Sequence, residues 1–266
     1  MAAAEPLLAG NRVPTLPNSG MHAANTTSDS REFMVRPGTL DAAIVDWVHR
    51  GNEYRLPGRF PDHTVVIDVG AHIGAFTLAA VDRGAQHVLA VEAIAENRVL
   101  AVMNMREELA TGQVELTLAA VTGPHRAAVT MGPAPYHEEQ LNTGGHRIAD
   151  ADADAAATTP GTVPAITLDA LIGRARSLLA DAPTSHLWVK LDCEGSEWEI
   201  LGTSATLRCV DVMVGEYHEA ADESFGPQLP CNADGLTSHL ASAGFSTRVT
   251  PDRVTPGLGL FWAWRE

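Results

Sequence analysis

Lysine is nearly missing from this chain of 266 residues: of its 18 basic residues, 17 are arginine and one, Lys190, is lysine. Basic residues as a group are also scarce, because 33 acids outnumber them and leave a formal charge of −15. A nucleic-acid binder needs a basic face to displace counterions, and anionic membranes attract polybasic segments. Both partners are therefore disfavoured. No apolar run approaches the ~18–20 residues that cross a bilayer. The opening residues, MAAAEPLLAG, lack the basic region and long apolar stretch of a secretory leader, so a cytoplasmic location is expected. Three cysteines, Cys193, Cys209 and Cys231, are too few and too scattered for a disulfide framework or a zinc knuckle. What remains is a soluble α/β protein with chain enough for one large domain or two small ones. An acidic surface fits a monomer or a dimer equally.

Residues 1–30 are rich in Ala, Pro, Asn, Ser and Thr without periodicity and read as a mobile tail. Residues 31–62 read as an N-terminal helical cover. RPGTLDAAIVDWVHRG puts Leu40, Ile44, Trp47 and Val48 on one helical face, with Thr39 as N-cap and Gly51 past the end. Residues 63–266 read as the core. TVVIDVG is a β-branched run suited to a strand buried on both faces. A helix from about Ile73 to Gly84, the strand HVLAVE, a helix over Ala95–Leu109 closed by Gly112, and the strand VELTLAAV follow. An irregular insert at about 123–165 breaks the rhythm, with a short hairpin and a disordered DADADAAATT run. TLDALIGRARSLL then carries apolar residues at helical spacing, and LWVKLD, VDVMVGEYH, FSTRVT and GLFWAW read as strands. This alternation predicts a mostly parallel sheet with an antiparallel hairpin at its edge.

Ligands in such sheets bind at the carboxyl ends of the strands. The first core strand ends IDVGAHIG, where His72 replaces the second glycine of a dinucleotide fingerprint and compromises the phosphate cradle. Asp68 would repel a pyrophosphate but suits an ammonium group. S-adenosylmethionine has an ammonium, a sulfonium and a ribose but no phosphate, so Asp68, Gly70, His72 and Gly74 favour it over NAD. Glu92 ends the second strand, where an acid accepts hydrogen bonds from both ribose hydroxyls. Asn97 either reaches the adenine edge or helps start its helix.

IDVGAHIG, VEAIAEN with Asn104, LAAV, TLD, VKLDCEGSEWEIL and GEYHE, preceded by RPGTLD and NEY, resemble the FkbM-type S-adenosylmethionine-dependent methyltransferases over about residues 36–218. The most specific element is the K-x-D-x-E-G-x-E string from Lys190 to Glu197. The resemblance implies a Rossmann-like class I methyltransferase fold, with a seven-stranded mostly parallel sheet and an antiparallel C-terminal strand. It also implies methylation of a hydroxyl on a small molecule, often a natural product or a sugar.

Methyl transfer requires an in-line acceptor and removal of its proton. Lys190, Asp192, Glu194 and His218 are the catalytic candidates. On a strand Lys190, Asp192 and Glu194 share one face. Lys190 with a lowered pKa, a carboxylate, or His218 could be the base; a charged Lys190 would instead pair with Asp192. Ser196 and Glu199 form a possible capping box, which would account for Glu197 and Glu199 without chemistry. Asp192, Glu216 and His218 are candidate ligands for a divalent metal, a possibility not favoured because no local spacing is diagnostic. His137, Asn142 and His146 could line the acceptor pocket, and Glu53 and Tyr54 are expected to cover the cofactor. The competing classes are an NAD(P)-dependent oxidoreductase, an aspartyl phosphatase reading LDCEGS as its motif, and an inactive methyltransferase-like binding module.

Overall fold

A computed structural model of the chain describes residues 24–27, 31–137, 139–149, 162–179, 184–220 and 229–266. Residues 1–23 of the expected tail and the DADADAAATT run lie outside the described residues. Strand pairing begins inside the span read as a tail: β1 (Ala24–Thr27) pairs antiparallel with β2 (Glu32–Val35). Then come α1 (Asp41–His49), β3 (Thr64–Val69), α2 (Ala75–Asp82), β4 (His87–Glu92), α3 (Ala95–Asn104), α4 (Arg106–Thr111) and β5 (Val114–Leu118). The insert carries β6 (Ala120–Val121), β7 (Ala128–Thr130), β8 (Tyr136–His137), β9 (Gln140–Leu141) and β10 (Thr162–Ile166). The chain closes with α5 (Leu168–Leu178), β11 (His186–Leu191), α6 (Glu197–Thr203), β12 (Val212–His218), α7 (Ala233–Ser242), β13 (Ser246–Pro251) and β14 (Leu258–Trp264).

Seven strands form one sheet in the order β13-β14-β12-β11-β3-β4-β5. The pairs from β12 to β5 are parallel, and β14 runs antiparallel to both of its neighbours. The chain leaves β3 towards β4 and β5, then crosses back to β11 on the other side of β3. The order therefore reverses between β3 and β11, the topological switch point where such sheets open a crevice at their carboxyl ends. β3 is buried along its whole length, so its side chains feed two cores. Val65, Ile67 and Val69 join the face packed with Leu168, Ile172, Leu201 and Leu236, while Val66 joins Val45, Val48, Leu78 and Leu100 on the other.

Several local expectations give way to packing. Trp47 is 47% exposed, because α1 turns Asp41, Val45 and Val48 inward instead. Leu40 occupies the cap position, and Thr39 Oγ1 serves the turn before it, donating to Arg36 O and accepting from Asp41 N. The helix expected over Ala95–Leu109 breaks at Met105, whose side chain packs where a Cβ on Gly74 would stand. The VELTLAAV strand divides at Ala119, and β6 joins β10 and β7 in a separate small sheet. Helix α7 was not legible in the sequence reading. No helix among the described residues is long and apolar enough to cross a membrane.

Candidate functional site

The turn after β3 sets the site. Gly70 (φ 79), His72 (φ 53) and Gly74 (φ 93) all lie in the left-handed region. Gly70 has no alternative, since a Cβ there would sit 1.9 Å from Asp192 O. Gly70 N and Ala71 N donate to Val91 O, and His72 N donates to Glu92 Oε2 at 2.7 Å, tying the turn to the end of β4. From β11, Lys190 Nζ donates to Gly70 O at 2.6 Å and to Val69 O at 3.2 Å. Asp68, fully buried, accepts from Thr77 Oγ1 at 2.6 Å, and its other oxygen lies 3.3 Å from Lys190 Nζ. The ammonium that Asp68 meets in the folded chain is that of Lys190.

Glu92 is satisfied on both oxygens: Oε2 by His72 N, Oε1 by Ile94 N at 2.8 Å and Asn97 Nδ2 at 3.2 Å. Spare lone pairs remain on a carboxylate so held. Asn97, the third residue of α3, also donates to Thr143 O at 2.9 Å, reaching into the insert. Thr143 Oγ1 in turn donates to Asp41 Oδ1 at 2.6 Å, and His72 Nε2 lies 2.9 Å from the same hydroxyl. Arg36 grips both Asp41 oxygens from its guanidinium and backbone. Burial alone would raise the Asp41 pKa, but His72 and Arg36 outweigh it and hold the carboxyl well below its ordinary value. The cover, the glycine turn and the insert thus meet in one buried polar network. The sequence reading missed Asp41 and Thr143. An acid in register with Val45 and Val48 on the inward face of α1 was the available signal.

A cleft open to solvent adjoins this turn. Gly70 and Glu92 line it, with Ile94, Ala119, Val121 and Met131 as apolar wall and Asp192 and Glu194 opposite. This combination suits a nucleoside carrying an amino-acid tail: a carboxylate for ribose, an apolar slot for a base, and a glycine turn allowing close approach. Of the insert residues, His146 lines the cleft and its Nδ1 lies 2.7 Å from Gly132 O. Asn142 instead builds a turn by accepting from Gly144 N and Gly145 N, and His137 is exposed on β8.

At the reacting end the sheet brings Lys190, Asp192, Glu194, Glu216 and His218 together. Lys190 Nζ lies 3.4 Å from Asp192 Oδ2, and Tyr54 OH donates to that oxygen at 3.0 Å. Tyr54, expected to cover a cofactor, is thus bonded to Asp192 just past β11. Burial pulls the Lys190 pKa down, yet Asp192 and Asp68 prevail and raise it above its ordinary value. Lys190 is a fixed cation, which removes it as a base. Glu194, left-handed at φ 55, departs from the face shared by Lys190 and Asp192 and meets His218 Nε2 at 3.2 Å. Glu197 is fully buried and accepts from Gly195 N, His218 N and His218 Nδ1. Burial disfavours the imidazolium, but Glu194 and Glu197 raise the His218 pKa from 6.5 to about 11. His218 is thus protonated at neutral pH and is not the resting base.

Ser196 makes no side-chain cap bond, and Glu199 binds Arg126 Nε at 3.3 Å, so the expected capping box does not form. Among the described residues no three or more His, Cys, Asp or Glu side chains are arranged to hold a metal ion. His218 Nδ1 lies 3.0 Å from Glu197 and Nε2 lies 3.2 Å from Glu194 and 4.0 Å from Glu216.

Residues 68–246 match the family described as methyltransferase FkbM domain. No curated protein matches the chain. Among solved structures, the chain is similar to methyltransferase FkbM from Methylobacillus flagellatus KT, at 15% identity over 77% of this chain and 44% of that one, with a TM-score of 0.45. It is similar to EvdMO1 at 18% identity over 87% of this chain, with a TM-score of 0.44, and covers only 42% of that protein. The Pyrococcus abyssi tRNA (uracil-54, C5)-methyltransferase, solved with S-adenosyl-L-homocysteine, gives 10% identity, coverage of 91% and 44%, and a TM-score of 0.45.

Proposed function

This chain belongs to the FkbM methyltransferase family, and from that premise we propose that it is an O-methyltransferase acting on a hydroxyl of a small molecule, a natural product or a sugar. Membership makes the reaction a methyl transfer from S-adenosylmethionine and replaces the oxidoreductase and phosphatase readings. The cleft residues Gly70, Glu92, Ile94 and Val121 would hold the donor. Bound there, it supplies a methyl group already activated by a sulfonium.

The observation that carries the hydroxyl reading is the concentration of carboxylates at the strand ends beside the glycine turn. A hydroxyl must lose its proton as it is methylated, and carboxylates in a half-buried site are suited to receive it. Lys190 and the Tyr54–Asp192 bond hold this end in place, while His218 balances Glu194 and Glu197. The net charge of −15 supports a small acceptor over a nucleic acid. Three free cysteines are in keeping with a reducing, cytoplasmic setting, which is part of the same proposal.

Incubating the protein with methyl-labelled donor and a panel of glycosides and hydroxylated natural products, then locating the label by mass spectrometry, tests the proposal. Label on an ether oxygen is expected. Donor binding with transfer only to carbon or nitrogen, or with no transfer, contradicts it.

A further inference from the structure

We infer that His146 reads the base of the methyl donor, its Nε2 accepting a hydrogen bond from the exocyclic amino group of adenine; the role rests on the donor site proposed above. His146 stands in a wall that the insert builds along the cleft. The chain just past β7 pairs with the segment that carries His146. Met131 bridges Ile148 in antiparallel register, Gly132 N donates to Arg147 O at 2.8 Å, and Ala149 N donates to Thr130 O at 2.9 Å. Residues two apart on an extended segment share a face, and His146, Ile148 and Met131 all line the cleft. Ile94, Ala119 and Val121 line it from the strand ends. Among the described insert residues in this lining, His146 alone has a polar side chain.

That side chain is fixed in its hydrogen bonding. The carbonyl of Gly132 can only accept, so its 2.7 Å contact with His146 Nδ1 puts the ring hydrogen on Nδ1. In the neutral ring Nε2 then carries the lone pair, and it takes no hydrogen bond from the described residues. The turn leading into His146 is equally constrained. Asn142 Oδ1 accepts from Gly144 N and Gly145 N, and Thr143 is bound to Asp41, His72 and Asn97. On the far side Arg147 Nε lies 3.7 Å from Glu194 Oε2, which ties the wall to the segment past β11.

The hydrogen-bond donors of S-adenosylmethionine are its ribose hydroxyls, its ammonium and its adenine amino group. Glu92 suits the hydroxyls, and the carboxylates past β11 suit the ammonium. The amino group lies on the edge of the flat base, so the side chain that meets it beside the apolar slot must accept. Asn97, the other residue considered for that edge, spends its amide nitrogen on Glu92 Oε1 and Thr143 O. His146 Nε2 is the side-chain acceptor that the insert wall offers. A carbonyl at C6 of the base would set two lone pairs against each other, and His146 thereby selects adenine over hypoxanthine.

Calorimetric titration of the full chain with S-adenosylhomocysteine and with S-inosylhomocysteine, whose C6 carbonyl replaces the amino group, tests this at about pH 8. His146→Asn keeps an amide N–H for Gly132 O and lacks Nε2; His146→Phe keeps a ring and lacks both nitrogens. Wild type should bind S-adenosylhomocysteine at least about tenfold more tightly than the inosyl compound. In both variants the ratio should fall to within about threefold, with unfolding midpoints near wild type. A wild type that binds the two compounds alike, or a variant that retains the preference, overturns the inference and leaves the donor site standing. Loss of both compounds by the variants marks His146 as a prop for the wall and overturns it too. A wild type that binds neither compound overturns the donor site as well.

Discussion

Lys190 shows how a single side chain holds two strands and a turn in one arrangement. Its ammonium bridges Asp68 on β3 and Asp192 past β11, and it also caps the carbonyls of Val69 and Gly70. Removing one partner of a buried ion pair leaves an uncompensated charge, at a cost of about 3–5 kcal/mol. Lys190→Met should therefore lower stability to denaturant by about that amount and weaken S-adenosylhomocysteine binding, because the Gly70 turn loses its prop. Unchanged unfolding midpoints would refute this placement. The lysine stood out in the sequence as the sole survivor among arginines. Its protonation state did not, because that depends on Asp68 lying opposite in the β3–β11 register, and register is not written locally. His218 poses the same problem, since the carboxylates that charge it come from two residues on another segment. Its raised pKa stabilises the fold fully below about 6.5, and that contribution is lost as pH climbs through about 11. Melting temperature should decline across that window in the wild type and more shallowly in His218→Gln, as thermal scans at stepped pH would reveal.

At the level of elements, the insert and the N-terminal cover act as one unit through Thr143. Its hydroxyl joins Asp41 of α1 to His72 of the glycine turn, and its carbonyl receives Asn97 of α3. Thr143→Val keeps the shape but removes one hydrogen bond to the buried Asp41 carboxylate, whose Oδ1 retains Arg36, at about 1.5–3 kcal/mol. Lower stability and weaker S-adenosylhomocysteine binding should appear together, whereas a stability loss with unchanged affinity would separate the network from the cleft. His72 and Asn97 were legible as site residues, but their pairing with Asp41 and Thr143 was not, because the four converge from segments far apart in sequence and the insert has no period to read. The alternating core elements were legible because strands such as TVVIDV are β-branched, mostly apolar runs, here closed by a glycine turn. Helix α7 escaped because it offers only two deeply buried leucines, Leu236 and Leu240; its clearest mark is Asn232, whose side chain accepts from Gly235 N. The split at Met105 escaped too, since residues on both sides favour helix and only packing at Gly74 interrupts them.

Across the whole molecule, the reversal of strand order between β3 and β11 explains why the chemistry gathers where it does. Gly70 and Asp192 leave adjacent strands at the same end, Glu92 closes the next strand, and His218 and Glu216 end the strand beyond β11. A donor lying across these ends would meet Glu92 on one side and the carboxylates past β11 and on β12 on the other. Calorimetric titration of the wild type and Gly70→Ala with S-adenosylhomocysteine, and with NADH as a control, tests this most directly. Expected are one-to-one binding of S-adenosylhomocysteine with a Kd of about 1 μM, near −8 kcal/mol, and none of NADH. Gly70→Ala should lose the binding, because its new Cβ would lie 1.9 Å from Asp192 O. A folded wild type that binds NADH in place of S-adenosylhomocysteine, or a Gly70→Ala variant that binds as tightly as wild type, would contradict the assignment.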